Sequence, residues 1–354
     1  MQDRYQRQRM VGPIGEAGQA RVRAAHAVVV GVGALGCVTA DHLVRAGVGR
    51  VTVIDRDIVD RSNLHRQSLF TEADADAGVP KAEAARARLA AANSEVEVRA
   101  VIADVTGPRA EGLVFAPDGP APDVLVDGTD NFETRYVLND LSVSRGVPLA
   151  YAGVVGTRGT VAALVPGRTP CLRCIAQEPP APGTVETCDT AGVIGPAVGV
   201  VASWQAAEAL KILSGNVGDA GRVMVEMDVW SGMVRTLALE GLRDPACPCC
   251  VGRVFDFLRA APGEGATVLC GRGTVQITPR SVGAVDLDAV EARMSAAMPT
   301  QRSALFVRAT LEGERRESEE NPVVLTVFGD GRALVSGVST ADRARTIYAR
   351  YVGL

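Results

Sequence analysis

Val28-Val29-Val30-Gly31-Val32-Gly33-Ala34-Leu35-Gly36 decides the fold of this chain. The apolar, β-branched run Ala27–Val30 reads as a strand buried on both faces. Gly31-x-Gly33-x-x-Gly36 follows it and opens a helical pattern from Leu35 to Ala46. Glycines so placed let backbone N–H groups approach phosphate oxygens, and the helix N-terminus favours their negative charge. The next strand, Val51-Thr52-Val53-Ile54, closes on Asp55, 22 residues past Gly33. A carboxylate at that place accepts a hydrogen bond from a ribose hydroxyl.

The same alternation continues outward. A helical stretch, Lys81–Ala92, leads to the strand-like Val96-Glu97-Val98. Val124-Leu125-Val126 is a further strand, and the reading places Asp130, of Asp127-Gly128-Thr129-Asp130, at its end. The pattern predicts an α/β, Rossmann-like fold with a mostly parallel sheet covered by helices. From Gly153 to Val165 the texture changes to short strands with glycines. Pro179-Pro180-Ala181-Pro182-Gly183 reads as a loop, Ala197–Leu213 as a helix, and Val223–Asp228 and Val234–Leu239 as strands. A nucleotide-binding domain is expected over residues 1–255, a linker containing Pro262-Gly263-Glu264-Gly265 over 256–265, and a small α+β domain over 266–354. In that last domain Ala304–Val307, Val323–Val327 and Ala333–Val335 are strand-like, Gly329-Asp330-Gly331 is a hairpin turn, and Thr340–Tyr351 is a closing helix.

The chain has 354 residues, 47% of them hydrophobic, and a net charge of −4 without a long basic run. That argues against nucleic acid as a partner. Met1-Gln2-Asp3-Arg4 lacks the apolar core of a signal peptide, and no window suits a membrane span, so the expectation is a cytoplasmic protein. Eight cysteines include the pairs Cys171/Cys174 and Cys247/Cys250. Two Cys-x-x-Cys pairs in such a protein fit a tetrahedral four-cysteine site for Zn2+. Cys249 competes with Cys250 as a ligand, and the spacing favours Cys250. Cys37 and Cys270 read as buried small hydrophobes. His26, His42 and His65 form no ligand pattern and read as packing or surface residues.

Beyond Asp55 come Asn63, Arg66, Gln67 and Lys81. A dinucleotide dehydrogenase has no need of that cationic cluster, whereas Arg66 and Lys81 suit a triphosphate. Asp130 suits Mg2+, which prefers carboxylate and phosphate oxygens.

Arg4-Tyr5-Gln6-Arg7-Gln8, the glycine loop, Asp55-x-Asp57, Asn63-Leu64-x-Arg66-Gln67, Lys81, Thr129-Asp130-Asn131 with Arg135, and the two cysteine pairs occur in order. Together they resemble the ThiF/MoeB/HesA adenylyltransferases, relatives of the ubiquitin-activating enzymes, over roughly residues 1–252. The resemblance implies attack by the C-terminal glycine carboxylate of a ubiquitin-like (β-grasp) sulfur carrier ending in Gly-Gly on the α-phosphate of ATP, with loss of pyrophosphate, in thiamine, molybdopterin or related biosynthesis. A carboxylate is already ionised at neutral pH, so no general base is required. The resemblance assigns Arg66 and Lys81 to the phosphates, Asp130 to Mg2+, Asn63 and Gln67 to the phosphate oxygens, and Asp55, with Asp57 beside it, to the nucleotide.

It further implies a homodimer in which Arg7 reaches the partner's site, and a cysteine desulfurase or other sulfur donor as a second partner. Cys188, in Thr187-Cys188-Asp189, stands where some relatives form a covalent link to the carrier; a bystander role remains open. The C-terminal extension lacks the cysteine loop of a rhodanese domain. The competing readings are adenylation of a different peptide or small-molecule carboxylate, a non-catalytic nucleotide-binding adaptor and, more distantly, a dehydrogenase.

Overall fold

Eight strands form the first sheet in the order β3-β2-β1-β4-β5-β6-β7-β8. They are β1 (His26–Val30), β2 (Arg50–Asp55), β3 (Glu97–Ile102), β4 (Val124–Asp127), β5 (Leu149–Val155), β6 (Arg158–Leu164), β7 (Val223–Asp228) and β8 (Met233–Ala238). The strands from β3 to β5 pair in parallel, and those from β5 to β8 antiparallel. β1 pairs with β2 on one side and β4 on the other. That is the topological switch point, and in open α/β sheets ligands bind outside the strand ends there.

Both faces of the parallel half are covered, as its near-continuous apolar strands require. Val29, Val51 and Val53 pack with Ala40, Leu43, Ala85 and Leu89 of the helices Ala34–Arg45 and Lys81–Ala92. On the other face Val28, Val30 and Leu125 pack with Tyr136, Leu138 and Leu141 of the helix Phe132–Arg145. The predicted α/β class with a mostly parallel sheet is therefore observed.

The structure, a computed structural model, describes residues 3–116, 119–180, 184–259, 265–269, 273–278, 285–295, 298–314 and 322–352; of residues 188–189 and 265–269 it describes the backbone alone. Pro262-Gly263-Glu264 of the expected linker, Ala181-Pro182-Gly183 of the expected loop, the first two residues and Cys270 lie outside them. The chain divides into two compact units, Met1–Ala260 and Ala261–Leu354.

Several boundaries differ from expectation. The strand after Lys81–Ala92 begins at Glu97 and runs to Ile102. β4 ends at Asp127, so Asp130 stands in the following turn and not at a strand end. The cause is local: Asp127 Oδ1 accepts from Thr129 N (2.9 Å) and Thr129 Oγ1 (2.6 Å), which turns the chain out of the sheet. Asn131 then caps the helix Phe132–Arg145 by accepting from Thr134 N at 2.8 Å.

The second unit holds a six-stranded sheet, order β11-β12-β13-β14-β10-β9, made of β9 (Gly265–Leu269), β10 (Thr274–Thr278), β11 (Thr300–Arg302), β12 (Phe306–Thr310), β13 (Val324–Phe328) and β14 (Ala333–Ser336). The expected Gly329–Gly331 turn joins the antiparallel β13 and β14, with Gly331 at φ +85°. The expected strand Ala304–Val307 instead starts at Phe306, because Ser303 Oγ accepts from Leu305 N and Phe306 N and bends the approach. Helices Leu287–Ser295 and Ala341–Tyr351 pack Val290, Met294 and Ile347 onto this sheet. Among the described residues no helix is long and apolar enough to cross a membrane.

Candidate active site

A cavity of about 290 Å³ opens at the C-terminal ends of β1 to β4. Its floor is bare backbone. Gly31 sits at φ +85°, and a Cβ there would lie 2.7 Å from Gly128 O. A Cβ on Gly36 would lie 1.9 Å from Gly31 O, so Gly36 serves the close packing of loop on helix and does not line the cavity. Gly31 and Gly33 do line it.

Asp55 lines the cavity from the end of β2. Its Oδ2 accepts from Val32 N at 2.6 Å and its Oδ1 from Asp57 N at 2.8 Å. The carboxylate thus ties the glycine loop to the strand end. Burial pushes its pKa above the ordinary carboxylate range, against the pull of Lys81. Lys81, from the first turn of its helix, places Nζ 3.0 Å from Asp57 Oδ2. Arg66 Nη1 donates to Ser62 O at 3.1 Å. Asp57, Lys81, Arg66, Gln67 and Asp130 all line the cavity. Asp130 is exposed and makes no hydrogen bond among the described residues.

Three expected site residues do not line it: Gly36, Asn63 and Arg7. Asn63 is buried beside the Arg66 segment, and Arg7 is exposed on the short helix Gln6–Arg9. Among the described residues, Asn63 Oδ1 and Gln67 Oε1 are buried without a hydrogen-bond partner. Such orphaned amides mark a place for a polar ligand, since an amide presents oxygen or nitrogen after a half-turn. The Cys188 side chain lies outside the described residues; its neighbours Glu186 and Thr187 line the cavity.

The sequence reading gave no role to several residues found here. Arg135 Nε donates to Asp127 Oδ2 at 3.0 Å, and Nη2 donates to Thr129 O and Ala152 O. The guanidinium lies over the rings of Phe132 and Tyr151, 5.5 and 5.3 Å from their centroids. Burial disfavours its charge, and the Asp127 carboxylate more than offsets this, holding Arg135 above its usual range. Arg56, paired with Asp104 at 3.1 Å, lines the β3 side. Arg158 and Thr160 of β6 and Glu226 of β7 line the antiparallel side.

Away from this cavity, the Sγ atoms of Cys171, Cys174, Cys247 and Cys250 all lie within 4.8 Å of one another. Tetrahedral Zn–S bonds of about 2.3 Å place sulfurs about 3.8 Å apart. The pairs Cys171–Cys174, Cys171–Cys247 and Cys174–Cys250 stand at 3.9, 3.6 and 3.4 Å. The four thiols therefore suit zinc. Cys250, not Cys249, completes the set. The buried Cys249 Sγ accepts from Asn139 Nδ2 at 3.4 Å, while Asn139 Oδ1 accepts from Leu172 N at 2.8 Å. Asn139 thereby fastens both cysteine loops to the helix Phe132–Arg145.

The ThiF family profile matches residues 5–249. The chain belongs to the ThiF family. Among relatives, the sulfur carrier protein ThiS adenylyltransferase of Bacillus subtilis (strain 168) is 40% identical over 353 residues, covering 100% of both chains. The sulfur carrier protein adenylyltransferase of Thermus thermophilus is 42% identical over 255 residues, covering 70% of this chain and 90% of its own. Among solved structures, Escherichia coli MccB with AMPCPP and MccA aligns at a TM-score of 0.60 and 22% identity, over 70% of this chain and 74% of that one. That likeness concerns the fold alone. ThiF-family membership accounts for the motif order over the first unit.

Proposed function

We propose that this chain is an ATP-dependent adenylyltransferase acting on the C-terminal glycine carboxylate of a ubiquitin-like sulfur carrier of the ThiS type. The observation that carries the reading is one cavity that gathers the glycine loop, Asp55, Arg66, Gln67, Lys81 and Asp130. The full-length match to a ThiS adenylyltransferase supports the choice of carrier. The adenylation domain is the first unit, Met1–Ala260, which takes in the helix Asp256–Arg259, and the α+β domain is the second, Ala261–Leu354.

The triphosphate would lie over Gly31 and Gly33 at the start of the helix Ala34–Arg45, whose positive dipole end favours its charge. Asp55 and Asp57 face the nucleoside end. Arg66 and Lys81 spread the phosphate charge, and the Gln67 and Asn63 amides orient phosphate oxygens. One carboxylate oxygen of the carrier bonds to the α-phosphorus as the bond to the β-phosphate oxygen breaks. Pyrophosphate leaves with that electron pair, and no proton moves. The residues act by positioning and by neutralising charge, the means suited to phosphoryl chemistry.

Asp130 would hold Mg2+, which supplies charge neutralisation at the phosphates. The four cysteines would hold Zn2+, which supplies a cross-link between the two cysteine loops. Arg7, exposed and outside its own cavity, supports a homodimer in which it serves the partner's site. Cys188 follows cavity residues directly, which suits a covalent role on the carrier.

The experiment is isotopic exchange of pyrophosphate into ATP in the presence of ThiS. Exchange should require Mg2+ and the carrier and should fall at least about 100-fold in Asp130→Ala. Exchange that is carrier-independent, or undiminished in that variant, overturns the reading.

A further inference from the structure

Three edges of the Arg135 guanidinium have different company. Nε is taken by Asp127 Oδ2, and Nη2 by Thr129 O and Ala152 O. Nη1 donates to no carbonyl or carboxylate among the described residues. It stands instead at the cavity wall formed by Gly153. A Cβ built on Gly153 would lie 3.3 Å from Nη1 and 3.5 Å from the Tyr151 hydroxyl. The Tyr151 hydroxyl accepts from Arg135 and keeps its own O–H to donate, so both groups face the space left by a missing side chain, and Arg135, Tyr151 and Gly153 all line the cavity. Gly153 has no positive φ, so its backbone does not call for glycine. Its smallness serves the space.

The anchoring edge fixes the position of this pair. Arg135 is nine-tenths buried against two aromatic rings and is bonded to the turn that carries Asp130. A guanidinium so held cannot swing to follow a mobile phosphate chain. It presents Nη1 at a fixed place beside the Tyr151 hydroxyl, a charge-assisted pair of contacts suited to one carboxylate oxygen.

We propose that Arg135 Nη1, with the Tyr151 hydroxyl, receives the carboxylate of the carrier's terminal glycine in the space beside Gly153. The inference rests on the adenylation of a carrier proposed above. Held by its non-reacting oxygen, the carboxylate leaves the other oxygen free to attack the α-phosphorus. Through Nη2 and Thr129, the same residue ties the position of the acyl group to that of Asp130. Selection of a free carboxylate over a blocked one follows from this pairing.

The test compares binding of ThiS as free acid with ThiS carrying a C-terminal carboxamide, in wild type, Arg135→Lys, Tyr151→Phe and Gly153→Ala. Nucleotide affinity is measured in parallel with a non-hydrolysable ATP analogue. Wild type should favour the acid about 10- to 100-fold. Arg135→Lys and Gly153→Ala should reduce that ratio to about threefold or less, and Tyr151→Phe should give an intermediate value. Gly153→Ala, which removes no donor or acceptor and crowds Nη1 at 3.3 Å, should keep wild-type nucleotide affinity and carries the test if Arg135→Lys does not fold. A wild-type acid preference retained in Gly153→Ala, or no acid preference in wild type, overturns the proposal. Failure of wild type to bind ThiS or to exchange pyrophosphate with it defeats the adenylation reading itself, a separate result.

Discussion

Lys81 Nζ lies 3.0 Å from Asp57 Oδ2, and the lysine side chain is 3% exposed. A cation in the first turn of a helix opposes the macrodipole, and burying it costs solvation. Asp57 offsets both. A lysine held in this costly place on a nucleotide cavity is explained by a still more negative ligand beside it.

Lys81→Met should therefore reduce carrier-dependent pyrophosphate exchange by about 100- to 1,000-fold. ATP affinity should also fall. Exchange within about threefold of wild type would remove Lys81 from the phosphate site.

The cysteine cluster makes a prediction that separates neighbours. Cys250→Ser should leave the purified protein with well under one zinc per chain, while Cys249→Ser should retain about one. Elemental analysis decides it. Loss of metal in Cys249→Ser alone would reverse the ligand assignment.

Stability should depend on pH through His26. Its Nδ1 lies 2.9 Å from Pro120 O and its Nε2 2.9 Å from Thr52 Oγ1, so the neutral ring donates to the carbonyl and accepts from the hydroxyl. Burial lowers its pKa below the usual 6.5. The unfolded chain then takes up a proton as the pH falls through about 6.5 while the folded chain does not. This stabilisation is present above that pH and is lost below it, down to the lowered folded value. Denaturant unfolding of His26→Gln should show a shallower pH dependence in that window, the difference in slope not exceeding about 1.4 kcal/mol per pH unit. Parallel curves would contradict the assignment.

Arg7 is tested by mixed dimers. Arg7→Ala and Asp130→Ala chains should each be inactive alone and recover part of the activity when mixed, because one site of the hybrid has both groups intact. No recovery despite exchange of subunits would place Arg7 outside the partner's site.

The glycine loop and the strand end at Asp55 were legible because they are local. Gly31, Gly33, Gly36 and Asp55 fall within one strand–helix–strand unit, so their spacing along the chain fixes their spacing in space. The cysteine pairs were legible for a different reason, since few other arrangements explain two Cys-x-x-Cys units. The helix Phe132–Arg145 was not anticipated. Residues 134–143 are all buried, Arg135, Asn139 and Asp140 among them, so no polar stripe marks a helical period. The antiparallel side was also hidden. Thr160 meets Glu226, and Arg158 meets Asp228, only through the register of β6 against β7. Arg135 stood in a recognised motif, yet its role appears only when Asp127, Thr129, Ala152 and Gly153 surround it.

The most direct test of the central claim is mass spectrometry of ThiS incubated with this protein, ATP and Mg2+, stopped before hydrolysis. The account predicts one AMP moiety on the carboxylate of the terminal glycine, absent when Asp130→Ala replaces the wild type. ThiS recovered unmodified while ATP is consumed, or AMP attached to any other group, would contradict it.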